Sequence, residues 1–404
     1  MQDPYYDRSY YLNGAKSIPF DGDGSISAFR VKGGKASFQQ RYVMTERLFA
    51  ERKAGRSLFG NSKNPFSHHP CVRAVIDSAA NVNVLVHANK LLAVGENGPA
   101  YELDPKSLRT IGQDPFPGHL DPTKPFTGHP HVDPETGDLI SFGYEMEGLD
   151  SPQIAIYTIN KHGEVTYRRD IEFYPTGGIP TTTSVIMRMP YMVDLKDIEK
   201  PGNHQWYYDE NCPAYFGLIP RDIRKPVRWY KYKNSMPIHT RASWEENGKV
   251  YFDTTLASHN GMSFLPCRQG PNPEPKDVSV NYVKFCIDPN STSDELPEPE
   301  IVLRGPCEFP RIDERFLMSK TRITWLDCFD PNSDSNKNVF QGLNALARVD
   351  YQTGEVEYFS PGPNCLLQAF ALRSLTIGLT LLGSIRLKNT RSKMSLNSTL
   401  MFPL

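Results

Sequence analysis

Short apolar runs, each closed by turn chemistry, follow one another from about Val72 to Ser360, and this punctuation leaves little room for any class but all-β. The runs are VRAVI, VNVLVHA, KLLAV, AYELD, LISFGYE, QIAIYTI, EVTYRRDIEF, VRWYKY, KVYFDTT, VNYVKFCI, RITWL, LARVDY and EVEYFS. Between many of them stand sequences such as Asp133-Pro134-Glu135-Thr136-Gly137, Asn160-Lys161-His162-Gly163, Glu246-Asn247-Gly248 and Tyr351-Gln352-Thr353-Gly354, whose Asn, Asp and Gly tolerate the backbone angles of tight hairpins. Two turns, at residues 135–139 and 352–356, share an x-Thr-Gly-acidic-apolar pattern resembling the hairpins of propeller blades, without a strict period. Many short strands in one long chain favour a β-propeller over a sandwich. Helix is expected only over residues 45–58, where Thr45 can cap, and as a short turn over 194–200. The proline-rich stretches 270–276 and 296–300 read as surface connections within one body.

Charge narrows the partners. With 45 basic and 46 acidic side chains among 404 residues, the chain has no electrostatic footprint for nucleic acid or an anionic membrane surface, so small, uncharged or apolar partners are expected. The seven cysteines (Cys71, Cys212, Cys267, Cys286, Cys307, Cys328 and Cys365) are odd in number and never form C-x-x-C, which fits a reducing, cytoplasmic setting better than a disulfide framework or a zinc ribbon. The first residues, MQDPYYDRSYY, lack the basic and apolar regions of a secretory signal. Residues 374–385 are apolar but lie between Arg373 and Arg386; they are too short to cross a bilayer as a helix and leave room only for peripheral membrane contact.

Of compact catalytic motifs there is none: no H-E-x-x-H, G-x-S-x-G, P-loop or dinucleotide fingerprint. Ten histidines remain, and a metal held by histidines from distant strands leaves no compact motif. The segment FTGHPHVDPETGD, residues 126–138, sets His129 just before a rigid turn, a position suited to a ligand. His131, two residues on, points to the opposite side if the segment is extended. His87 and His204 read as packed or hydrogen-bonded structural residues, whereas His68, His69, His119, His162 and His259 sit in polar turns and are expected to be exposed.

Seven segments then occur in a telling order: FDGDG (20–24), RYVMTERLFAERKAGRSLFG (41–60), NVNVLVHANKLLAVGENGPAYELDPKSLRTIG (81–112), FTGHPHVDPETGD, FGYEMEGL (142–149), IHTRASWEENGKVYFD (238–253) and CEFPRIDERF (307–316). Together they resemble the carotenoid cleavage oxygenase family, particularly its lignostilbene dioxygenase branch, over residues 18–368. The resemblance implies a seven-bladed β-propeller carrying one ferrous iron, Fe(2+), on four histidines backed by three glutamates. It implies cleavage of a conjugated carbon–carbon double bond by O2, giving two carbonyl products from an apocarotenoid or stilbene-like substrate. By the same resemblance His129 matches the first iron ligand and His239 the third, while Glu96 and Glu308 match two of the outer glutamates. Neutral imidazoles suit ferrous iron, and each outer carboxylate takes the second ring N–H and so fixes the tautomer.

Departures from the pattern stand beside the matches. The segment TGGIPTTTSVIMR, where the second ligand is expected, contains no histidine, and none follows His259. Ala369 stands where the third glutamate is expected, and the Leu/Ser/Arg-rich residues 369–404 lose the hairpin texture. We therefore expect a propeller domain over 1–368, incomplete at its C-terminal side, and an aberrant tail that reads as a frame or splice change. Gly95 and Ser62 occupy the places of the Lys and Tyr that handle a phenolic hydroxyl in stilbene cleavers, which speaks against a 4-hydroxystilbene. The competing reading is a propeller that binds an apolar ligand or partner and performs no chemistry.

Overall fold

The computed structural model describes residues 21–387 except 62–63, 114–115, 117–119, 122, 173–179, 183–184, 197, 199–205, 221, 223, 333–341, 363–364 and 376–377. Two compact units are found: one comprises residues 2–177 and 192–207, the other residues 1, 178–191 and 208–404.

In the first unit, strands Asn83–His87, Lys90–Val94, Tyr101–Leu103 and Thr110–Gln113 form one four-stranded sheet, and His131–Val132, Leu139–Tyr144, Gln153–Ile159 and Val165–Glu172 a second. Leu92, Val94, Phe126, Leu139, Ala155 and Ile159 fill the space between them. Three more four-stranded sheets make up the second unit: Pro180–Thr182, Val185–Arg188, Ala214–Leu218 and Arg228–Tyr232; then Met236–Glu246, Lys249–Ala257, Val280–Ile287 and Glu300–Leu303; then Cys307–Arg311, Ile323–Cys328, Ala345–Asp350 and Val356–Phe359. Phe216, Phe252 and Phe285 lock the first of these to the second, with ring centroids 5.0 to 5.1 Å apart. Tyr282, Leu303, Leu326 and Ala347 pack the second against the third.

These sheets are antiparallel, with strands paired in ascending chain order; in the one beginning at Pro180–Thr182 a separate pair, Tyr191–Val193 with Trp206–Tyr208, intervenes between the second and third strands. Such a sheet is the blade of a β-propeller, and the all-β propeller expectation holds. The count of seven blades does not: five four-stranded sheets occur among the described residues. A blade needs four strands, and among the described residues the segments flanking these five form two-stranded ribbons, Ser25–Lys32 with Lys35–Tyr42 and Cys365–Leu375 with Gly378–Leu387.

Two local expectations also change. VRAVI is not a strand, because Pro70 opens a 3-10 turn over Pro70–Val72. The helix spans Glu46–Ala54, where Thr45 accepts the Leu48 N–H at 3.2 Å and Gly55, at φ 65°, ends it. No helix among the described residues is long and apolar enough to cross a membrane, and the apolar segment 374–385 falls in the Cys365–Leu375 and Gly378–Leu387 ribbon.

Candidate metal-ligand pairs and their carboxylates

His239 lies in the strand Met236–Glu246, whose pairing with Lys249–Ala257 is interrupted on both sides of Thr240. These bulges take the His239 peptide groups out of the ladder, and two buried threonine hydroxyls replace the lost partners. His239 N–H donates to Thr255 Oγ1 at 3.2 Å, and Thr254 Oγ1 donates to the His239 carbonyl at 3.1 Å. The neighbouring sheet begins at Cys307–Arg311, where a second bulge between Glu308 and Arg311 and a left-handed Phe309, at φ 55°, turn Glu308 towards the histidine.

The result is a short, closed arrangement. His239 Nδ1 donates to Glu308 Oε2, which also takes the Phe309 N–H at 2.8 Å, while Thr255 Oγ1 donates to Glu308 Oε1. The Glu308 side chain is 3% exposed, so the geometry is held by packing as well as by hydrogen bonds. Burial works to raise its carboxyl, but the His239 ring, the Thr255 hydroxyl and the Phe309 N–H outweigh it and keep Glu308 below the ordinary carboxylate range. A neutral imidazole that gives its Nδ1 proton to a carboxylate carries its lone pair on Nε2, the form a metal ligand needs. The Phe309 ring, 5.0 Å from the His239 ring between centroids, walls one side.

Directly opposite Glu308 in the ladder is Asp327. It is fully buried, and its two carboxylate oxygens meet no hydrogen-bond donor among the described residues. Burial first and the Glu308 charge second push Asp327 well above the ordinary range, against a pull from Arg311.

The other pair forms within the first unit. Glu96 follows the strand Lys90–Val94, and His129 precedes His131–Val132. His129 Nε2 stands 3.7 Å from Glu96 Oε1, an ion-pair distance beyond hydrogen-bond reach, and that oxygen takes the Gly128 N–H at 2.8 Å. A side chain at Gly128 would meet Val82 at 2.5 Å and Glu96 Oε1 at 2.8 Å, so the close approach depends on glycine. Thr127 Oγ1 accepts the His129 N–H at 2.9 Å. Here Nε2 faces the carboxylate, the reverse of His239, and with side chains 32% and 20% exposed the pair is held less firmly.

Of the remaining histidines, His87 is the structural residue expected, donating from Nε2 to the Asn160 carbonyl at 2.8 Å, and His162 is exposed. His68 is not exposed: it is 6% accessible, its Nδ1 accepts the Gly60 N–H at 3.0 Å, and its Nε2 lies 3.2 Å from Asp77. His259 is half-buried and stacks on Tyr208 at 5.1 Å. His119, His204 and Ser62 lie outside the described residues, as do 173–179 of the segment expected to carry the second ligand. Sequence reasoning missed Thr255, for which a Thr-Thr pair facing a histidine across a hairpin would have been the signal.

His239 and His129, the two ligand candidates, lie in different units, each beside its own glutamate. Among the described residues no group of three or more His, Cys, Asp or Glu is placed to hold a metal. The two histidines are half of the set that the resemblance implies.

Comparison with known proteins agrees with the residue pattern. The model of the family described as "Retinal pigment epithelial membrane protein" matches residues 4–372. Resveratrol cleavage oxygenase 1 of Botryotinia fuckeliana is 37% identical over 370 residues, 87% of this chain and 66% of that protein. Lignostilbene-alpha,beta-dioxygenase isozyme III of Sphingomonas paucimobilis is 31% identical over 363 residues, 86% of this chain and 74% of its own length. The crystal structure of Pseudomonas brassicacearum lignostilbene dioxygenase superposes with a TM-score of 0.85 at 30% identity, covering 92% of this chain and 80% of that one. By family model, by sequence and by fold, the chain belongs to the retinal pigment epithelial membrane protein family, the carotenoid cleavage oxygenases.

Proposed function

We propose that this chain is an oxygenase that splits a conjugated carbon–carbon double bond of a stilbene-like or apocarotenoid substrate with O2, giving two carbonyl products, in a reducing, cytoplasmic setting. Relatives named for resveratrol, lignostilbene and carotenoid cleavage support the reaction class. The observation that carries the reading is the His239–Glu308 pair, an imidazole aimed by a buried carboxylate. Iron(II), for which the resemblance implies His239 and His129 among the ligands, would supply dioxygen activation. Glu308 and Glu96 orient those rings, and Phe309 keeps an apolar wall beside one of them.

Within that class, a 4-hydroxystilbene is disfavoured. Gly95 offers no cation for a phenol, and a side chain there would lie 3.2 Å from the Ala80 backbone. We expect oxygen uptake to be greater with apolar apocarotenals or non-hydroxylated stilbenes than with hydroxystilbenes.

A second reading, an apolar-ligand-binding protein without chemistry, is favoured by the incomplete donor set. Iron content by mass spectrometry and oxygen uptake, measured for the parent and for His239→Gln, separate the two. Bound iron and uptake that H239Q abolishes support the oxygenase; no iron and no uptake in the parent, with an apolar ligand still bound, leaves the second reading.

A further inference from the structure

We propose that Thr255 is the positioning residue of His239: its hydroxyl ties the histidine's backbone to the carboxylate that aims the histidine's ring. The chain of donors closes on one residue. His239 N–H donates to Thr255 Oγ1 at 3.2 Å, Thr255 Oγ1 donates to Glu308 Oε1, and Glu308 Oε2 accepts from His239 Nδ1. A hydroxyl has a single proton, so accepting from the peptide N–H turns that proton towards the carboxylate. The carboxylate is thereby held with its second oxygen facing Nδ1, and because an ionised carboxylate only accepts, Nδ1 carries the proton and the lone pair is left on Nε2.

Burial gives the arrangement its weight. Thr255 is fully buried, and a serine or threonine there is the smallest side chain able to accept from His239 and donate to Glu308 at once. Valine keeps the shape and removes both bonds. The adjacent Thr254 provides a control, since its hydroxyl reaches the His239 carbonyl at 3.1 Å and the Thr255 carbonyl at 3.1 Å, with no bond to Glu308.

The assignment rests on His239 being a metal ligand only for its functional meaning; the positioning itself is testable without metal. The experiment is long-range proton–nitrogen correlation on metal-free protein labelled with nitrogen-15 in histidine, with His239 identified by its absence from H239Q. We expect a single Nδ1–H tautomer in the parent, in Thr255→Ser and in Thr254→Val, and loss of that single form in Thr255→Val. A T255V spectrum identical to the parent, in a folded protein, overturns the proposal. If T255V does not fold, the parent alone decides: a slowly exchanging Thr255 hydroxyl proton with a nuclear Overhauser contact to the His239 amide is expected, and its absence is equally fatal.

Metal titration then tests the underlying reading separately. If the parent binds iron(II) or cobalt(II), T255V should bind it about 10- to 100-fold more weakly, with T255S restoring affinity. A parent that binds no metal while keeping its tautomer defeats the iron reading and leaves the positioning intact.

Discussion

Two carboxylates facing each other across one ladder, Glu308 and Asp327, titrate in opposite directions, and the contrast shows what a hydrogen-bond partner does for a buried charge. Glu308 receives three donors and is held below its ordinary value. Its contribution to stability is therefore fully present above the unfolded value near 4.5 and is lost as pH falls through the folded one. Asp327 is held above its ordinary value, so the fold binds its proton more tightly than the unfolded chain does, and stability falls as pH rises from the unfolded value of 3.8 towards the folded one. We predict that Asp327→Asn raises the midpoint of urea unfolding at pH 7 and that the gain shrinks towards pH 4, where the parent carries the proton too; a lowered midpoint at pH 7 would count against an uncompensated carboxylate. His239 and Glu308 were legible as candidate residues from segment order, and the structure brings them into contact. Asp327 was not, because burial and a missing donor are properties of the fold, and for the same reason His68 read as exposed although Gly60 and Asp77 enclose its ring.

At the scale of elements, bulges and tight backbone approaches, not regular strands, aim the functional side chains. The strand Met236–Glu246 was absent from the sequence runs because Pro237 and the two interruptions around Thr240 break the alternation on which strand reading depends. The hairpin that follows it was legible, since Asn247 at φ 53° and Gly248 at φ 73° form the two-residue turn that Asn-Gly specifies. In the first unit the corresponding device is Gly128. An added methyl would sit 2.5 Å from Val82 Cγ1 and 2.8 Å from Glu96 Oε1, so the Thr127–His129 segment and Glu96 must separate. We predict that Gly128→Ala costs about 1–3 kcal/mol in urea unfolding and lowers any metal affinity further than that loss explains. Unchanged stability and affinity would show that Glu96 and Val82 yield freely and that the approach is incidental.

Across the molecule, the succession of hairpins was visible because each blade strand alternates on its own, whereas blade number depends on which strands find partners. Hence the all-β propeller class was read correctly and the count of seven was not. In the second unit, a buried polar network clamps the sheet carrying His239 to the sheet carrying Glu308. Arg241 pairs with Asp253 and donates to Thr324 Oγ1 at 2.8 Å, and Asp253 Oδ2 accepts from Tyr351 at 3.0 Å and Tyr282 at 3.2 Å. Arg241, Asp253 and Tyr282 belong to one sheet; Thr324 lies in a strand of the other and Tyr351 follows the next strand of that sheet. Removing Arg241 alone leaves the Asp253 charge buried with only two phenol donors, a situation that typically costs about 3–5 kcal/mol. We predict a loss of that order for Arg241→Met in urea unfolding. Removing both charges, in the double variant R241M/D253L, should recover a large part of it, because the penalty comes from the stranded charge and not from the absence of the pair. If the clamp also sets the distance between the sheets, nitrogen-15 histidine spectra of R241M will show the His239 tautomer disturbed although the Arg241 side chain bonds to Thr321, Thr324 and Asp253. A double variant no more stable than R241M, or a His239 signal unmoved in R241M, would mean that the apolar layer of Tyr282, Leu303, Leu326 and Ala347 holds the two sheets in register without the network.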